Sequence, residues 1–172
     1  CMGVGLDERF ATFHAVRDEV LAEVARHTII DVRAGLAPDV DPSHLDDPLV
    51  ALPLVFATSV AMARQWMSFG VEPDGMVGHS LGEYAAAHLA GVMGLADAAR
   101  LVVARAELMA RVGGPGAAML VVPLAEGDAA DLVGPRVSLA VVNGPDECVL
   151  AGDRAEIEAI ADRLAGEGTS AS

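Results

Sequence analysis

Across residues 7–28 the apolar positions Phe13, Val16, Val20 and Val24 recur at three- and four-residue steps, with acids and arginines between them. That period predicts an amphipathic helix with one face toward a core. Residues 35–48, GLAPDVDPSHLDDP, lose the period and gather three prolines with five Asp or His residues, so they read as a loop. A second helix is expected from Pro53, a residue suited to a first turn, through LVFATSVAMARQWMSF to a stop at Gly70. It is apolar on most sides, which predicts extensive burial.

Residues 74–78 predict a short buried strand running into a sharp turn at Ser80. One helix should follow to about Ala90, and another from Asp97, read as its N-cap, to Val112. Behind the linker GGPG at residues 113–116 the pattern changes. AAMLVVPL reads as a strand, AEGDAADLVG as a short helix, VSLAVVN and CVLAG as strands around the turn NGPDE, and DRAEIEAIADRLAGEG as a helix. This order is one strand short of a split βαβ unit of ferredoxin-like type. Two segments are therefore expected, residues 1–113 and residues 117–172.

Composition narrows the class. Apolar residues make up 53% of the 172-residue chain and aromatic ones 3%, so the core must be built from Ala, Val, Leu, Ile and Met. All eleven basic residues are arginine and the formal net charge is -14. Such a surface repels phosphate backbones and anionic lipid, which argues against nucleic-acid and membrane partners. Cys1 and Cys148 sit in no metal-binding or redox spacing, so a reducing, cytoplasmic location fits. Pro53, Arg64 and glycines are expected to break the apolar runs short of a spanning helix of about twenty residues. The opening on Cys1 in a glycine-rich turn reads as an excised or processed piece.

The candidate chemistry centres on GHSLG at residues 78–82, which fits G-x-S-x-G, a strand-to-helix corner that holds its serine under backbone strain. Ser80 is the candidate nucleophile. The Leu81 amide, opening the helix that follows, is the natural oxyanion donor. The bland alternative is a Gly/Ser turn with no chemistry. His79 adjoins the serine, where geometry rarely permits a useful contact, and His88 lies two turns along the helix, roughly 12 Å away by helix rise. Both read as structural.

A second candidate lies in DAARLVVARAELMARV. Leu101, Leu108 and Val112 form an apolar stripe, and at about 100° per residue Arg105 falls in its middle, opposite Arg100, Glu107 and Arg111. Arg105 is expected to be buried or to face a cleft. A buried guanidinium needs a partner, and its planar fork suits a carboxylate. That partner is either internal, for example Glu83, or a substrate carboxylate held beside Ser80; a snorkelling side chain is the third option.

Taken in order, GHSLGEYAAAHLAGV, DAARLVVARAELM, GAAML and VVNGPDECVLAG resemble the acyltransferase domains of modular polyketide synthases and the malonyl-CoA:acyl-carrier-protein transacylases. The likeness extends over nearly the whole chain. It implies an α/β fold, with a partial α/β-hydrolase-like large subdomain bearing the serine and a ferredoxin-like small subdomain lacking its last strand. It also implies Ser80 as the acyl-accepting nucleophile, the Leu81 amide as an oxyanion contact and Arg105 as the ligand of a malonyl carboxylate. A branched apolar residue after the serine leans toward malonyl rather than methylmalonyl.

The implied substrate is malonyl-CoA, with no bound cofactor, and the implied acceptor is the phosphopantetheine thiol of an acyl carrier protein. Neighbouring synthase domains are implied as further partners. Family members carry a GQGSQ-like loop before the position matched by Met2 and Gly3, and a catalytic histidine motif after the small subdomain's last strand. Neither occurs in this sequence, so the resemblance implies a fragment of impaired activity. Two other expectations compete: a serine thioesterase or esterase, which would need an acid and a histidine after Ser80, and a non-catalytic docking module.

Overall fold

The computed structural model describes residues 3, 5–37, 39–112 and 116–171. Its first unit, Cys1–Arg111, contains helices and no strand among the described residues. Helix α1 (Ala11–Val24) is shorter than the expected 7–28 because turns occupy residues 5–9, closed by the Arg9 and Phe10 amides on the Leu6 carbonyl. Phe13, Val20 and Val24 are buried, as the periodicity predicts, while Val16 of the same stripe is half-buried and Leu21 and Arg17 are buried as well. Arg17 sits there because Nη2 donates to Asp7 Oδ2 at 2.6 Å and its guanidinium carbon lies 5.4 Å from the Phe13 ring centroid.

Helix α2 (Pro48–Ser68) starts five residues before the predicted Pro53. Asp47 supplies the cap, its carboxylate accepting from the Leu49 amide at 2.9 Å, and Pro48 takes the first-turn position. Pro53 lies inside the helix and is buried. An interior proline removes one backbone bond at a cost of about 3 kcal/mol. Full burial of Leu54, Phe56 and Val60 around it offsets that cost, at about 1.5–3 kcal/mol per large side chain.

The unbroken helix also corrects a second expectation. At 21 residues α2 is long and apolar enough to cross a membrane by length and composition, since neither Pro53 nor Arg64 interrupts it. Its buried face joins the core of the first unit, with Val20, Leu21 and Val24 of α1. The helix stops where predicted. Gly70 has φ 89°, and the Gly70 and Val71 amides close on the Met67 and Trp66 carbonyls.

Gln65 ties the two helices together. The first turn of α1 has no capping side chain of its own, and the buried Gln65 Oε1 accepts from the Phe13 amide at 3.0 Å. Within the expected loop at residues 35–48, 3-10 turns run over Val32–Leu36 and Pro42–Asp46, capped by the Asp31 and Asp41 side chains. Helices α3 (Gly82–Leu89) and α4 (Leu95–Val112) complete the unit. Asp97 falls in the first turn of α4 and is not its cap, because the Ala98 amide already bonds the Gly94 carbonyl at 3.0 Å.

Residues 74–78 are not a buried strand. They run without a ladder partner among the described residues, and Val77 is 93% exposed. The apolar pattern that predicted a strand there is real, but a strand exists only as a pair.

The second unit, Val112–Ser172, supplies such pairs. Its elements are β1 (Ala117–Val122), α5 (Glu126–Ala130), β2 (Val137–Gly144), β3 (Glu147–Asp153) and α6 (Arg154–Gly166), in the predicted order. The sheet is antiparallel with strand order β1-β3-β2, and Leu120 pairs with Leu150 as Leu150 pairs with Leu139. Leu120, Val122, Cys148 and Leu150 bury one side against Ala129 of α5 and Ile157 and Leu164 of α6. Gly152 is required by close approach, since a Cβ there would lie 2.1 Å from the Arg136 carbonyl oxygen. Cys148 is a free, buried thiol. Of the predicted GGPG linker, residues 113–115 lie outside the described residues, as does Cys1.

Candidate active site

Two glycines and a strained serine make the corner. Ser80 has φ 51°, a conformation that non-glycine residues adopt at a cost of order 1–3 kcal/mol and that clusters at functional sites. Gly78 lets the chain fold back, because a Cβ there would meet the Gly82 carbonyl carbon at 2.1 Å and the Glu83 nitrogen at 2.2 Å. The Gly82 amide then closes on the His79 carbonyl at 2.8 Å, and the Glu83 amide on the Ser80 carbonyl at 3.2 Å. The Leu81 amide, at the N-cap of α3, makes no hydrogen bond among the described residues. It is the unspent donor beside the serine.

Arg105 comes to this corner from α4. Its Nη2 donates to Ser80 Oγ at 2.7 Å, and its guanidinium carbon lies 5.6 Å from the centroid of the Tyr84 ring. Its Nε is buried with no hydrogen-bond partner. Among the described residues no carboxylate stands within ion-pair distance of it, Glu83 included. The internal salt bridge considered from the sequence is therefore not formed.

The helix-wheel expectation needs correction even though the residue it singled out does reach Ser80. Leu101, Leu108 and Val112 are exposed, while α4 buries Ala98, Ala99, Val102, Val103 and Ala106. Arg105 lies at the edge of that buried face and is only partly covered. Helix α4 turns Ala98, Ala99, Val102, Val103 and Ala106 into the core, and Arg105 beside them reaches the corner without being enclosed.

None of the five histidines has a nitrogen within hydrogen-bond distance of Ser80 Oγ. His14 bridges Asp7 and Asp18 at 3.5 and 3.4 Å, His27 meets Glu23 at 3.3 Å, and His44 belongs to a 3-10 turn. His79 is exposed, and His88 Nδ1 is 3.2 Å from the Met93 carbonyl oxygen. Among the described residues no group of three His, Cys, Asp or Glu side chains could hold a metal ion.

A groove of about 570 Å³ reaches the corner at Gly78 and His79 and runs along Trp66, Met67, Met76 and Leu89. Neither Ser80 nor Arg105 lines it.

The chain matches the model of the acyl transferase domain over residues 2–172. It belongs to the acyl transferase domain family. The chain is 38% identical over 167 residues to the mycoketide-CoA synthase of Mycobacterium tuberculosis strain ATCC 25618 / H37Rv, a match covering 97% of this chain and 4% of that protein. Among solved structures, the acyltransferase domain from the second module of the salinomycin polyketide synthase superposes with TM-score 0.85 at 40% identity, covering 98% of this chain and 39% of that one. The loading acyltransferase from the avermectin modular polyketide synthase gives 0.89 at 30% identity, covering 99% and 56%. The acyl transferase domain likeness thus extends across both units, while this chain spans a minor part of the synthase and well under two thirds of the solved domains.

Sequence reasoning passed over Tyr84, which lies in the first turn of α3 and meets Arg105 only through the fold.

Proposed function

We propose that this chain carries the serine and the carboxylate-binding arginine of an acyltransferase that loads an extender acyl group, malonyl, from CoA and passes it to an acyl carrier protein. The observation that carries the reading is an arginine with no carboxylate partner among the described residues, donating to the hydroxyl of a strained serine at 2.7 Å. A permanently charged guanidinium cannot take the serine's proton, so it has no use as a base. It can grip an anionic group on the acyl chain while the serine reaches the adjoining thioester. An esterase acting on neutral acyl chains has less need of it.

In the first half-reaction Ser80 Oγ attacks the thioester carbonyl, the C–S bond breaks, and CoA leaves as its thiol with the serine's proton. The Leu81 amide, at the N-cap of α3, serves as a donor to the developing oxyanion in that step. In the second, the phosphopantetheine thiol attacks the seryl ester and the serine recovers its proton. Leu81 supports malonyl over methylmalonyl on the resemblance stated above. The antiparallel order β1-β3-β2 supports a ferredoxin-like small subdomain for residues 117–172, beside an α/β-hydrolase-like large subdomain for residues 1–113. A cytoplasmic setting and neighbouring synthase domains belong to the same proposal.

With no histidine paired to Ser80, loading by these residues alone should be slow by several orders of magnitude. Prolonged incubation with malonyl-CoA followed by intact mass should still show one malonyl adduct, absent in Ser80→Ala. An adduct that persists in Ser80→Ala would sink the assignment.

A further inference from the structure

We infer that Tyr84 is a positioning residue that sets acyl-group specificity by presenting its ring face to Arg105. The inference rests on the proposed role of Arg105 as a carboxylate ligand. Arg105 is lightly anchored: Nη2 touches Ser80 Oγ, Nε is buried with no acceptor, and among the described residues no acid orients the fork. A long side chain held by one hydrogen bond samples several rotamers, and each unproductive one weakens binding of a carboxylate.

The Tyr84 ring is the second restraint. Its centroid is 5.6 Å from the guanidinium carbon, within the range where the negative ring face attracts a cation. The ring does not compete for N–H donors as a carboxylate would, so Arg105 stays oriented and its charge stays available. Tyr84 itself is fixed. Its side chain packs on the core of the first unit, and its amide closes on the Leu81 carbonyl at 3.1 Å. Arg105 of α4 thereby touches Ser80 in the turn before α3 and the Tyr84 ring within α3.

The consequence is selective. Loss of the ring face should weaken binding of an acyl-CoA with a free carboxylate and leave one without it alone. The test is calorimetric titration of the chain with malonyl-CoA and acetyl-CoA, which needs no turnover. Tyr84→Leu should lower the malonyl-over-acetyl preference by roughly three- to tenfold with acetyl-CoA affinity unchanged, and Tyr84→Phe should retain the preference.

A graded series of ring-fluorinated phenylalanines at position 84 keeps shape and folding while draining charge from the ring face, and the preference should fall stepwise with each fluorine. Equal loss for both ligands in Tyr84→Leu would make the ring merely structural, and a flat fluorine series would overturn the inference whether or not the leucine variant folds. Tyr84→Phe behaving like Tyr84→Leu would shift the role to the hydroxyl and overturn it too. Arg105→Ala separates the two levels: if it leaves the preference intact, the carboxylate reading fails and takes this inference with it. If it abolishes the preference while the fluorine series is flat, only the role of Tyr84 falls.

Discussion

Residues 74–78 and residues 117–122 carry similar apolar runs, GMVG within DGMVG and AAMLVV, and they meet different fates. AAMLVV becomes β1, hydrogen-bonded along its length to β3, with Val122 fully buried. The segment before the serine is extended, unpaired among the described residues and largely exposed. Apolar character states which residues would be buried by a partner; it does not supply the partner. In the second unit β2 and β3 pair across the two-residue turn at Pro145 and Asp146, and β1 joins through a short helix. Among its described residues the first unit offers helices and no strand to a segment that needs one.

Charge substitution should break the contrast most visibly. Val122→Asp buries a carboxylate with no partner in the second unit and should unfold its sheet, a loss above about 4 kcal/mol. Val77→Asp, at a side chain 93% exposed, should stay within roughly ±0.5 kcal/mol. Chemical denaturation of both variants checks the pair, and a large loss in Val77→Asp would mean that the segment is packed after all.

The next effect in size compares two glycines. Gly78→Ala and Gly152→Ala each drive a Cβ to 2.1 Å from backbone, of Gly82 and Arg136 respectively, and should each cost roughly 3 kcal/mol. Amide hydrogen exchange should place the loss around α3 for the first and in the β2–β3 ladder for the second. Faster exchange in the same residues for both would break the distinction.

Gln65→Leu is a smaller perturbation within the helical unit. It leaves the Phe13 amide without its acceptor and should cost about 1–2 kcal/mol, read as a lower thermal midpoint with the sheet's exchange protection unchanged.

The smallest effect concerns pH. The Asp18 carboxyl is held below its ordinary range, chiefly by the hydrogen bond from Arg33, which burial partly opposes. A group depressed in the folded state stabilises it above its unfolded pKa, and that contribution is lost as pH falls through the folded value. The small stability gap between Asp18→Asn and the parent chain should therefore be fully present above the ordinary aspartate range and close as pH falls through the folded value of Asp18. A difference that persists unchanged below both values would exclude the ion pair as its source.

Much of this was legible in the sequence where local chemistry decides. Gly70 ends α2, and the β-α-β-β-α order follows from a switch in period behind residue 113. Pro53 misled because its first-turn preference is worth less than the burial its neighbours gain by continuing the helix. Asp97 misled for a related reason: the Gly94 carbonyl starts the ladder before the side chain can cap it.

The candidate site divides along the same line. The spacing of Gly78, Ser80 and Gly82 alone prescribes a turn in which the serine takes a left-handed conformation, since sterics at that corner act over a few residues. The sequence also singled out Arg105, though in the middle of a stripe that the structure leaves exposed. Only the tertiary structure decided that this arginine meets Ser80 Oγ, that Glu83 does not claim it, that Tyr84 lies against it, and that residues 74–78 go unpaired. Those outcomes depend on how closely α4 packs and on which partners reach each group, quantities set by the whole unit's packing and not by any window of the chain.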